Sequence, residues 1–320
     1  MQRKLAAAIQ ELTETHREQI RAAAEKHGFE IRFIQPCAED SAFLQEAEVV
    51  FGHLPKTAAT SRALKWICTP YAGVDQFLKP GAFANPDAIL SNSSGAYGVT
   101  IAEHTVMMLL EILRRDPEYR KIVGAREWKR DLTVRSIRSS RITMLGTGDI
   151  GQETAARLRA FSPACLIGVN RSGKNPGNLF DRILTGSDWE SILPETDVVI
   201  ISLPGTKEAF HMLGERQLAL LPDGAVIINV GRGSVIDQAA LVRELKKGRL
   251  YAGLDVFEQE PPAKEDPVWE LPNLLMTPHT AGNMTLAHTV NRIVELFLED
   301  LDRYCSGEQP ARLVDRNRGY

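Results

Sequence analysis

Residues Arg141–Gly151 read RITMLGTGDIG, and this stretch decides the fold class. An apolar strand pattern over Arg141–Leu145 leads directly into the glycine spacing GxGxxG, and a helical pattern over Asp149–Phe161 follows it. Because 24 glycines will sometimes produce this spacing by chance, the strand before it and the helix after it make it informative. Such glycines allow a tight turn and let backbone N–H groups approach a pyrophosphate at the helix N-terminus. The stretch therefore predicts a dinucleotide-binding βα unit, with an ordinary βα turn as the alternative.

The end of the next predicted strand, Cys165–Val169, indicates which dinucleotide is bound. A site for NAD usually carries Asp or Glu about 20 residues after the glycines, where the carboxylate binds the ribose 2′-OH. Asn170 stands at that place, and Arg171, Ser172 and Lys174 follow it. A carboxylate would repel a 2′-phosphate, whereas an amide, a guanidinium and a hydroxyl can bind one. We therefore expect NADP(H) to be preferred over NAD(H), with a solvated basic loop as the alternative.

The rest of the chain alternates predicted strands and helices on both sides of this unit. The other predicted strands are Lys4–Ile9, Glu30–Ile34, Glu48–Gly52, Trp66–Thr69, Val198–Ser202, Ala225–Asn229 and Leu250–Asp255, the last of which closes the set. A chain of 320 residues exceeds the size at which one hydrophobic core keeps growing. The pattern predicts an α/β protein with two Rossmann-like domains, in which helices cover both faces of parallel sheets.

Composition and charge argue against several classes of protein. The formal net charge is −3, so there is no excess of positive charge to hold nucleic acid or an anionic membrane. No two of the cysteines have the CxxC spacing, and neither a structural metal site nor a disulfide framework is expected. The apolar runs Leu5–Ile9 and Val106–Leu110 are too short for a signal-peptide core and a membrane span, respectively. We expect a cytoplasmic protein that uses no metal.

Three later segments place reactive side chains directly after apolar strands. Arg232 stands between two glycines at the end of the strand that includes Ile228. The run from Gly253 to Pro262 carries three carboxylates into a proline-rich loop, and His279 lies in the turn TPHTAG. Ligands of open α/β sheets bind beyond the carboxyl ends of the strands, where a guanidinium can bind a carboxylate and an imidazole can exchange a proton. Taken singly, the arginine and the histidine would more often be ordinary loop residues.

Together these segments resemble the D-isomer-specific 2-hydroxy acid dehydrogenase family. The resemblance covers nearly the whole chain, and its further matches are AGVD at 72–75, IAEH at 101–104, SLP at 202–204 and LPDGA at 221–225. So many matches in the same order are far more specific than any single motif. The resemblance implies an active site in the cleft between the two domains and an enzyme that transfers hydride from NAD(P)H to a small 2-oxo acid, giving a D-2-hydroxy acid.

The family pattern also assigns the catalytic residues. It makes Arg232 the substrate-binding arginine, His279 the proton donor and Glu260 the carboxylate partner of that histidine. The chemistry of the residues alone does not choose Glu260 over Glu258 or Asp255. In the implied mechanism the arginine aligns the substrate, the imidazolium protonates the developing alkoxide and the carboxylate favours the charged imidazole.

Substrate binding is expected after two predicted strands of the first domain. The resemblance implies that backbone N–H groups of Ala72, Gly73 and Val74 bind the substrate carboxylate. Three further residues that follow strand ends, with plain packing as the alternative, are expected to line the pocket: His53, Leu54 and Tyr71. Since no other basic residue is clearly placed for a second substrate charge, we expect a small monocarboxylate such as glyoxylate, hydroxypyruvate or a short 2-oxo acid.

The resemblance extends to the cofactor positions and the domain boundaries. The expected cofactor-binding residues are Gly146, Thr147, Gly148, Asp149, Ile150, Gly151, Asn170, Arg171, Ser172, Lys174, Leu203, Pro204, Val230, Gly231, Asp255 and Gly282. The flavodoxin-like substrate domain is expected over 1–99 plus 284–320, and the dinucleotide domain over 100–283.

One helix and one alternative function complete the expectations. Thr100–Arg115 is apolar around much of its surface, which favours burial in a homodimer interface over burial within one chain. Relatives of the family also act as dinucleotide-sensing corepressors that bind partner peptides. The visible sequence contains no interaction motif of that kind, so a 2-oxo acid reductase is the favoured function.

Overall fold

The computed structural model describes residues 2–35 and 41–319, so Cys37 lies outside the described residues. Contacts divide the chain into two compact units, one formed by Met1–Tyr97 with Asn283–Tyr320 and the other by Gly98–Gly282. The strands are β1 (Arg3–Ala8), β2 (Phe29–Phe33), β3 (Val49–Gly52), β4 (Trp66–Cys68), β5 (Ile89–Ser91), β6 (Arg141–Leu145), β7 (Cys165–Val169), β8 (Arg182–Leu184), β9 (Val198–Ile201), β10 (Val226–Asn229), β11 (Tyr251–Leu254) and β12 (Leu274–Met276). The α-helices are α1 (Glu14–Lys26), α2 (Ser41–Gln45), α3 (Lys56–Ala59), α4 (Gly98–Arg114), α5 (Asp116–Gly124), α6 (Asp149–Arg159), α7 (Glu215–Leu220), α8 (Gln238–Lys246) and α9 (Ala287–Cys305).

The first unit is built on a parallel sheet with the strand order β2-β1-β3-β4-β5. This is the flavodoxin-like order of doubly wound sheets. Its central strands are apolar at nearly every position because both faces are covered. On one face Phe297 of α9 stacks on Phe51 of β3, with ring centroids 3.8 Å apart, and also packs on Trp66 of β4. The last helix therefore completes the core of the first unit.

The second unit contains a parallel sheet with the order β12-β11-β10-β9-β6-β7-β8. Numbered from β6, this is the dinucleotide-binding order 3-2-1-4-5-6 with one further strand at the edge. Leu145, Val199, Ile201 and Ile227 belong to the core on one face of the sheet. The order changes direction between β6 and β9, and such a switch point opens a crevice at the carboxyl ends of the strands.

Helix α4 packs against α6, β10 and β11 within the second unit. Gly253 of β11 permits this close approach, because a Cβ there would lie 3.2 Å from the end atoms of both Met108 and Ile112. The described residues of α4 that are buried are Gly98, Ile101, Ala102, Thr105, Met108, Leu109, Ile112 and Leu113. Much of the apolar surface that suggested a dimer interface is thus covered inside the chain. Among residues 2–35 and 41–319, none of the helices combines the length and apolar character needed to cross a bilayer.

The predicted fold class of two parallel-sheet α/β domains is confirmed. The prediction that Leu250–Asp255 closes the set of strands is wrong, because β12 pairs outside β11. The three strands that sequence patterns missed are the three-residue elements β5, β8 and β12. Helix α5 was also missed. Arg115, in the left-handed region at φ 59°, separates it from α4.

Candidate active site

The reactive segments of the second unit all follow the carboxyl ends of neighbouring parallel strands. The glycine loop follows β6, Asn170 follows β7 and Leu203 follows β9. Arg232, Glu260 and His279 follow β10, β11 and β12, which are adjacent in the sheet. Since the strands are parallel, these segments lie along one edge of the sheet. The sheet order therefore separates a nucleotide side, at β6 and β7, from a side that carries the arginine, the carboxylate and the histidine.

Glu260 and His279 form a hydrogen-bonded pair. Oε2 of Glu260 lies 2.6 Å from Nδ1 of His279, and Oε1 accepts the backbone N–H of Phe257 at 2.9 Å. One carboxylate oxygen thus fixes the acid to its own loop, while the other binds the imidazole. The His279 side chain is 53% exposed, which leaves the ring accessible to a ligand. With Nδ1 bound to the carboxylate, Nε2 is the atom that can exchange a proton with a substrate.

The two other carboxylates of this loop have different partners. Glu258 Oε1 lies 2.6 Å from Nε2 of His211. Asp255 is 1% exposed and accepts hydrogen bonds from the hydroxyl of Thr277 and from the backbone N–H groups of Thr280 and Ala281. The alternatives that residue chemistry left open are therefore separated by geometry, with Glu260 beside the His279 imidazole. The expected contact of Asp255 with a cofactor stays a prediction, and its carboxylate serves the turn around His279.

Arg232 is held by a tight crossing of two loops. A Cβ at Gly233 would lie 1.9 Å from the carbonyl carbon of Phe257, so only glycine allows the two loops to lie this close. The backbone of the same turn is fixed by Asn229, which accepts the Gly231 N–H at 3.0 Å and donates to the Arg232 carbonyl at 2.9 Å. The half-buried Arg232 follows β10 in a loop that touches the loop carrying Glu260.

The glycine loop after β6 fits a dinucleotide pyrophosphate. Gly146 has φ +104°, and a Cβ at Gly151 would lie 2.4 Å from the Gly146 carbonyl oxygen, so the turn itself requires both residues. Gly148 is different, because a Cβ there would meet nothing within 4 Å. It is the N-cap of α6 and leaves open space before the N-terminal amides of Asp149 and Ile150. Since packing does not require a glycine at position 148, the absence of a side chain there is best explained by a phosphate that approaches the backbone.

Asn170 organises the loop that follows β7. Its Nδ2 donates to Thr147 Oγ1 at 2.7 Å and to the Lys174 carbonyl at 2.8 Å, and its Oδ1 accepts the Gly173 N–H. Both amide protons are used within the chain, so this side chain supports the loop, and its expected contact with a cofactor stays a prediction. Arg171, Ser172 and Lys174 are exposed.

The remaining cofactor positions lie on the neighbouring loops. A Cβ at Gly231 would lie 2.6 Å from the Leu203 carbonyl oxygen, so the loops after β9 and β10 touch at this glycine. Val230 is buried, whereas Leu203, Pro204 and Gly282 are partly exposed. These residues lie at the same sheet edge, and their contacts with a cofactor stay predictions.

In the first unit, the predicted substrate residues follow β3 and β4. The Tyr71 hydroxyl lies 3.1 Å from Nδ1 of His53, and burial raises the pKa of the Tyr71 phenol. Asn92 donates to the Ala72 carbonyl at 2.8 Å, which fixes the turn after β4. Among the described residues, the backbone N–H groups of 72–74 have no hydrogen-bond partner. Leu54 packs against the core of this unit, so at least part of its surface serves packing.

Comparison with known proteins assigns the chain to a family. Residues 106–281, more than half of the chain, match the NAD binding domain of D-isomer specific 2-hydroxyacid dehydrogenases. The chain belongs to the D-isomer specific 2-hydroxyacid dehydrogenase family. This confirms the resemblance seen in the sequence.

Relatives of this D-2-hydroxyacid dehydrogenase family member match over most of its length. A glyoxylate reductase of Thermofilum pendens is 32% identical over 260 residues, which are 79% of this chain and 75% of the relative. A D-isomer specific 2-hydroxyacid dehydrogenase family protein of Aeromonas salmonicida has a TM-score of 0.85 at 28% identity, over 99% of this chain and 100% of that one. An NADPH-dependent glyoxylate/hydroxypyruvate reductase of Sinorhizobium meliloti, in complex with NADP and sulfate, has a TM-score of 0.78 at 26% identity. The match covers 99% of this chain and 100% of that one.

Sequence reasoning did not assign a role to one histidine at the site of this dehydrogenase-family chain. His104 of α4 contacts the turn that carries His279 through Thr277. The IAEH match contained the signal, but a histidine on an apolar helix has no visible partner in the sequence. Its partner follows β12, a strand that the patterns missed.

Proposed function

We propose that this chain is an NADP(H)-dependent reductase that converts small 2-oxo acids to D-2-hydroxy acids. The observation that carries the proposal is the 2.6 Å contact between Glu260 and His279 at the sheet edge that also carries Arg232. A histidine–carboxylate pair beside an arginine suits a substrate with both a carboxylate and a carbonyl group. The family supports the reaction class, and relatives include glyoxylate reductases.

Each of the three side chains has a distinct part in the reduction. Arg232 binds the substrate carboxylate and orients the carbonyl group. His279 donates the proton on Nε2 to the carbonyl oxygen as negative charge develops there. Glu260 favours the protonated imidazole and keeps the ring oriented through Nδ1. NADPH, when bound, supplies the hydride for the carbonyl carbon.

The preference for NADPH rests on the loop after β7. Arg171, Ser172 and Lys174 are exposed and carry donors suited to a 2′-phosphate, and Asn170 fixes the loop by its hydrogen bonds to Thr147 and Lys174. A carboxylate at position 170 would repel that phosphate. The relative from Sinorhizobium meliloti, in complex with NADP, is consistent with this choice.

Substrate size is proposed from the turn after β4. The N–H groups of Ala72, Gly73 and Val74, which have no hydrogen-bond partner among the described residues, can bind one carboxylate. His53 and Tyr71, which contact each other, are proposed to line the pocket beside them. A small monocarboxylate such as glyoxylate, hydroxypyruvate or a short 2-oxo acid fits this donor set. Leu54 is proposed to contact the short side chain of such a substrate with its apolar surface.

We also propose that the enzyme is a homodimer. Trp128 is 86% exposed and Val123 is 62% exposed, and both line one shallow hollow with Tyr119. Met107 of α4 and Val134 add exposed apolar surface in the same part of the sequence. Large exposed apolar side chains that lie together mark an interaction surface, and a second copy of this chain is the proposed occupant.

The proposal is tested by steady-state reduction of glyoxylate, hydroxypyruvate and 2-oxobutyrate with NADPH and with NADH. We expect turnover with NADPH and D-configured products from the prochiral substrates. His279→Asn should lower kcat by at least about 100-fold while fluorescence titration shows unchanged NADPH binding. The exposed His288 provides the control His288→Asn, which should keep full activity. Absence of turnover with both cofactors, or full activity in His279→Asn, would contradict the proposal.

A further inference from the structure

Helix α4 brings a half-buried histidine to the turn that carries His279. Met108 and Ile112 pack over Gly253 of β11, and His104 lies one turn before Met108 on the same face of the helix. Because β11 ends at Leu254, one residue after Gly253, this face of α4 lies close to Asp255, the residue that follows the strand. Nε2 of His104 lies 3.0 Å from Oγ1 of Thr277, and the His104 side chain is 15% exposed.

The hydrogen bonds between His104, Thr277 and Asp255 run in one direction. The Thr277 hydroxyl has one proton and donates it to Asp255 Oδ1 at 2.6 Å. Its oxygen can then only accept from His104, so Nε2 of His104 carries a proton. Nε2 lies 3.8 Å from Asp255 Oδ1, too far for a direct hydrogen bond. The threonine hydroxyl is therefore the link between the imidazole and the carboxylate.

The charge state of His104 follows from its surroundings. Burial lowers the pKa of the His104 imidazole, while the carboxylates of Asp255 and Glu111 act in the opposite direction. Burial is the larger effect, so the ring is neutral at pH 7. A neutral ring with its proton on Nε2 is the tautomer that the Thr277 contact requires.

Asp255 holds the turn around His279 from the inside. It accepts the N–H groups of Thr280 at 2.8 Å and Ala281 at 3.0 Å, and its backbone carbonyl accepts the N–H of His279 at 2.9 Å. His279 has φ +54°, a left-handed conformation that a residue other than glycine adopts only with support. The orientation of the Asp255 carboxylate therefore sets the position from which the imidazole of His279 meets Glu260.

We propose that His104 is a positioning residue for His279, acting through Thr277 and Asp255. The inference rests on the proposed role of His279 as proton donor. Loss of the His104 donor removes the hydrogen bond that Thr277 Oγ1 accepts, so the hydroxyl that donates to Asp255 is held less firmly. The turn then loosens, and His279 spends less time in line with Glu260. The chemical step slows, whereas cofactor binding at the glycine loop is unaffected.

Histidine NMR tests the hydrogen-bond direction without any turnover. Long-range ¹H–¹⁵N spectra of the ¹⁵N-histidine-labelled chain, assigned by comparison with His104→Gln, should show His104 as the neutral Nε2–H tautomer at pH 7. A neutral Nδ1–H tautomer or an imidazolium at pH 7 would overturn the inference. Since this readout needs neither substrate nor cofactor, it stands even where the proposed reductase activity fails.

Kinetics of matched variants test the functional link. Gln places an amide N–H where Nε2 stands, so His104→Gln should stay within about threefold of the wild-type kcat, whereas His104→Leu should lower kcat by about tenfold with KM for NADPH unchanged. Thr277→Ser should behave like the wild type, and Thr277→Val like His104→Leu. The double variant His104→Leu/Thr277→Val should lose no more than either single variant, because both remove the same link.

The two proposals fail differently. Wild-type turnover together with a full kcat in both His104→Leu and Thr277→Val would overturn the positioning role alone. A purely structural role would lower kcat in His104→Gln as much as in His104→Leu, and it too would overturn the inference. If His104→Leu does not fold, the kcat of Thr277→Val is compared with that of Thr277→Ser, and equal values in the two variants would overturn the positioning role. Absence of wild-type turnover with every 2-oxo acid would instead contradict the proposed function.

Discussion

Glu260 binds His279 with one carboxylate oxygen while its other oxygen is anchored to the backbone of its own loop. The contacts are 2.6 Å from Oε2 to Nδ1 of His279 and 2.9 Å from the Phe257 N–H to Oε1. A carboxylate fixed at both oxygens holds the ring in one orientation. The arrangement leaves Nε2 able to exchange a proton with a ligand, as the proposed role of His279 as proton donor requires.

Replacing Glu260 by Gln tests the charge of this pair at nearly constant shape. The amide oxygen can still accept the Phe257 N–H, but the negative charge that favours the protonated imidazole is gone. We expect kcat for reduction to fall by about 100-fold with little change in KM for NADPH. The matched control is Glu258→Gln, two residues earlier, whose carboxylate faces His211. Equal losses in the two variants would contradict a special role for Glu260.

Cofactor choice is predicted to depend on the exposed residues of the β7 loop. Arg171→Ala combined with Ser172→Ala removes charge-assisted hydrogen bonds to a 2′-phosphate, so KM for NADPH should rise by about 10- to 100-fold. KM for NADH should stay within about threefold. The control is Arg182→Ala, which removes one positive charge at an exposed residue of β8 outside this loop. A parallel rise in KM for both cofactors would show that the loop does not discriminate between them.

Most of the strands that the sequence predicted have apolar runs that are buried in the sheets. β6, β9 and β10 are buried almost throughout and directly precede marked turns. β12 has only three residues, all partly exposed, so its pattern is too short and too weak to stand out. Helix α5 was predictable, because Asp116-Pro117 is a helix-start signal that the apolar pattern of α4 obscured.

Side-chain partners were harder to predict than elements. Glu258, Glu260 and Asp255 lie within six residues, yet Glu258 faces His211 after β9, whereas Glu260 and Asp255 face His279 and Thr277 in the turn after β12. Sequence spacing contains no information on which loops meet. Asn170 shows the same limit, since its amide chemistry suits a phosphate, yet the fold uses both of its protons inside the chain.

The ion pair between β1 and the residue before β3 predicts a pH dependence of stability. Burial disfavours the ionised form of Glu48, but hydrogen bonds from Arg3 and Tyr304 outweigh it, so the pKa of Glu48 lies below its ordinary value of 4.5. The ionised group therefore stabilises the fold above about pH 4.5, and this contribution is lost as pH falls through the lower folded-state pKa.

Glu48→Gln should accordingly lower Tm at pH 7 by about 4 °C. In calorimetry the difference from the wild type should shrink as the pH falls through the lowered pKa of Glu48, because the native side chain then also becomes neutral. Glu46→Gln removes an exposed partner of Lys4 and should change Tm by less than about 1 °C. A difference between Glu48→Gln and the wild type that is independent of pH would refute the linkage.

Trp128 is predicted to be central to the proposed homodimer. Its 86% exposed indole lies in a segment, 124–131, in which every residue is exposed, and such a side chain is stabilised when a partner covers it. Trp128→Glu introduces a charge that would have to be desolvated in the interface, so sedimentation velocity should show monomers at concentrations where the wild type is dimeric. Phe210→Ser, at a 58% exposed phenylalanine outside this segment, should leave the dimer intact. A monomeric wild type would contradict the proposed dimer. A variant Trp128→Glu that remains dimeric would show that the interface lies elsewhere on the chain.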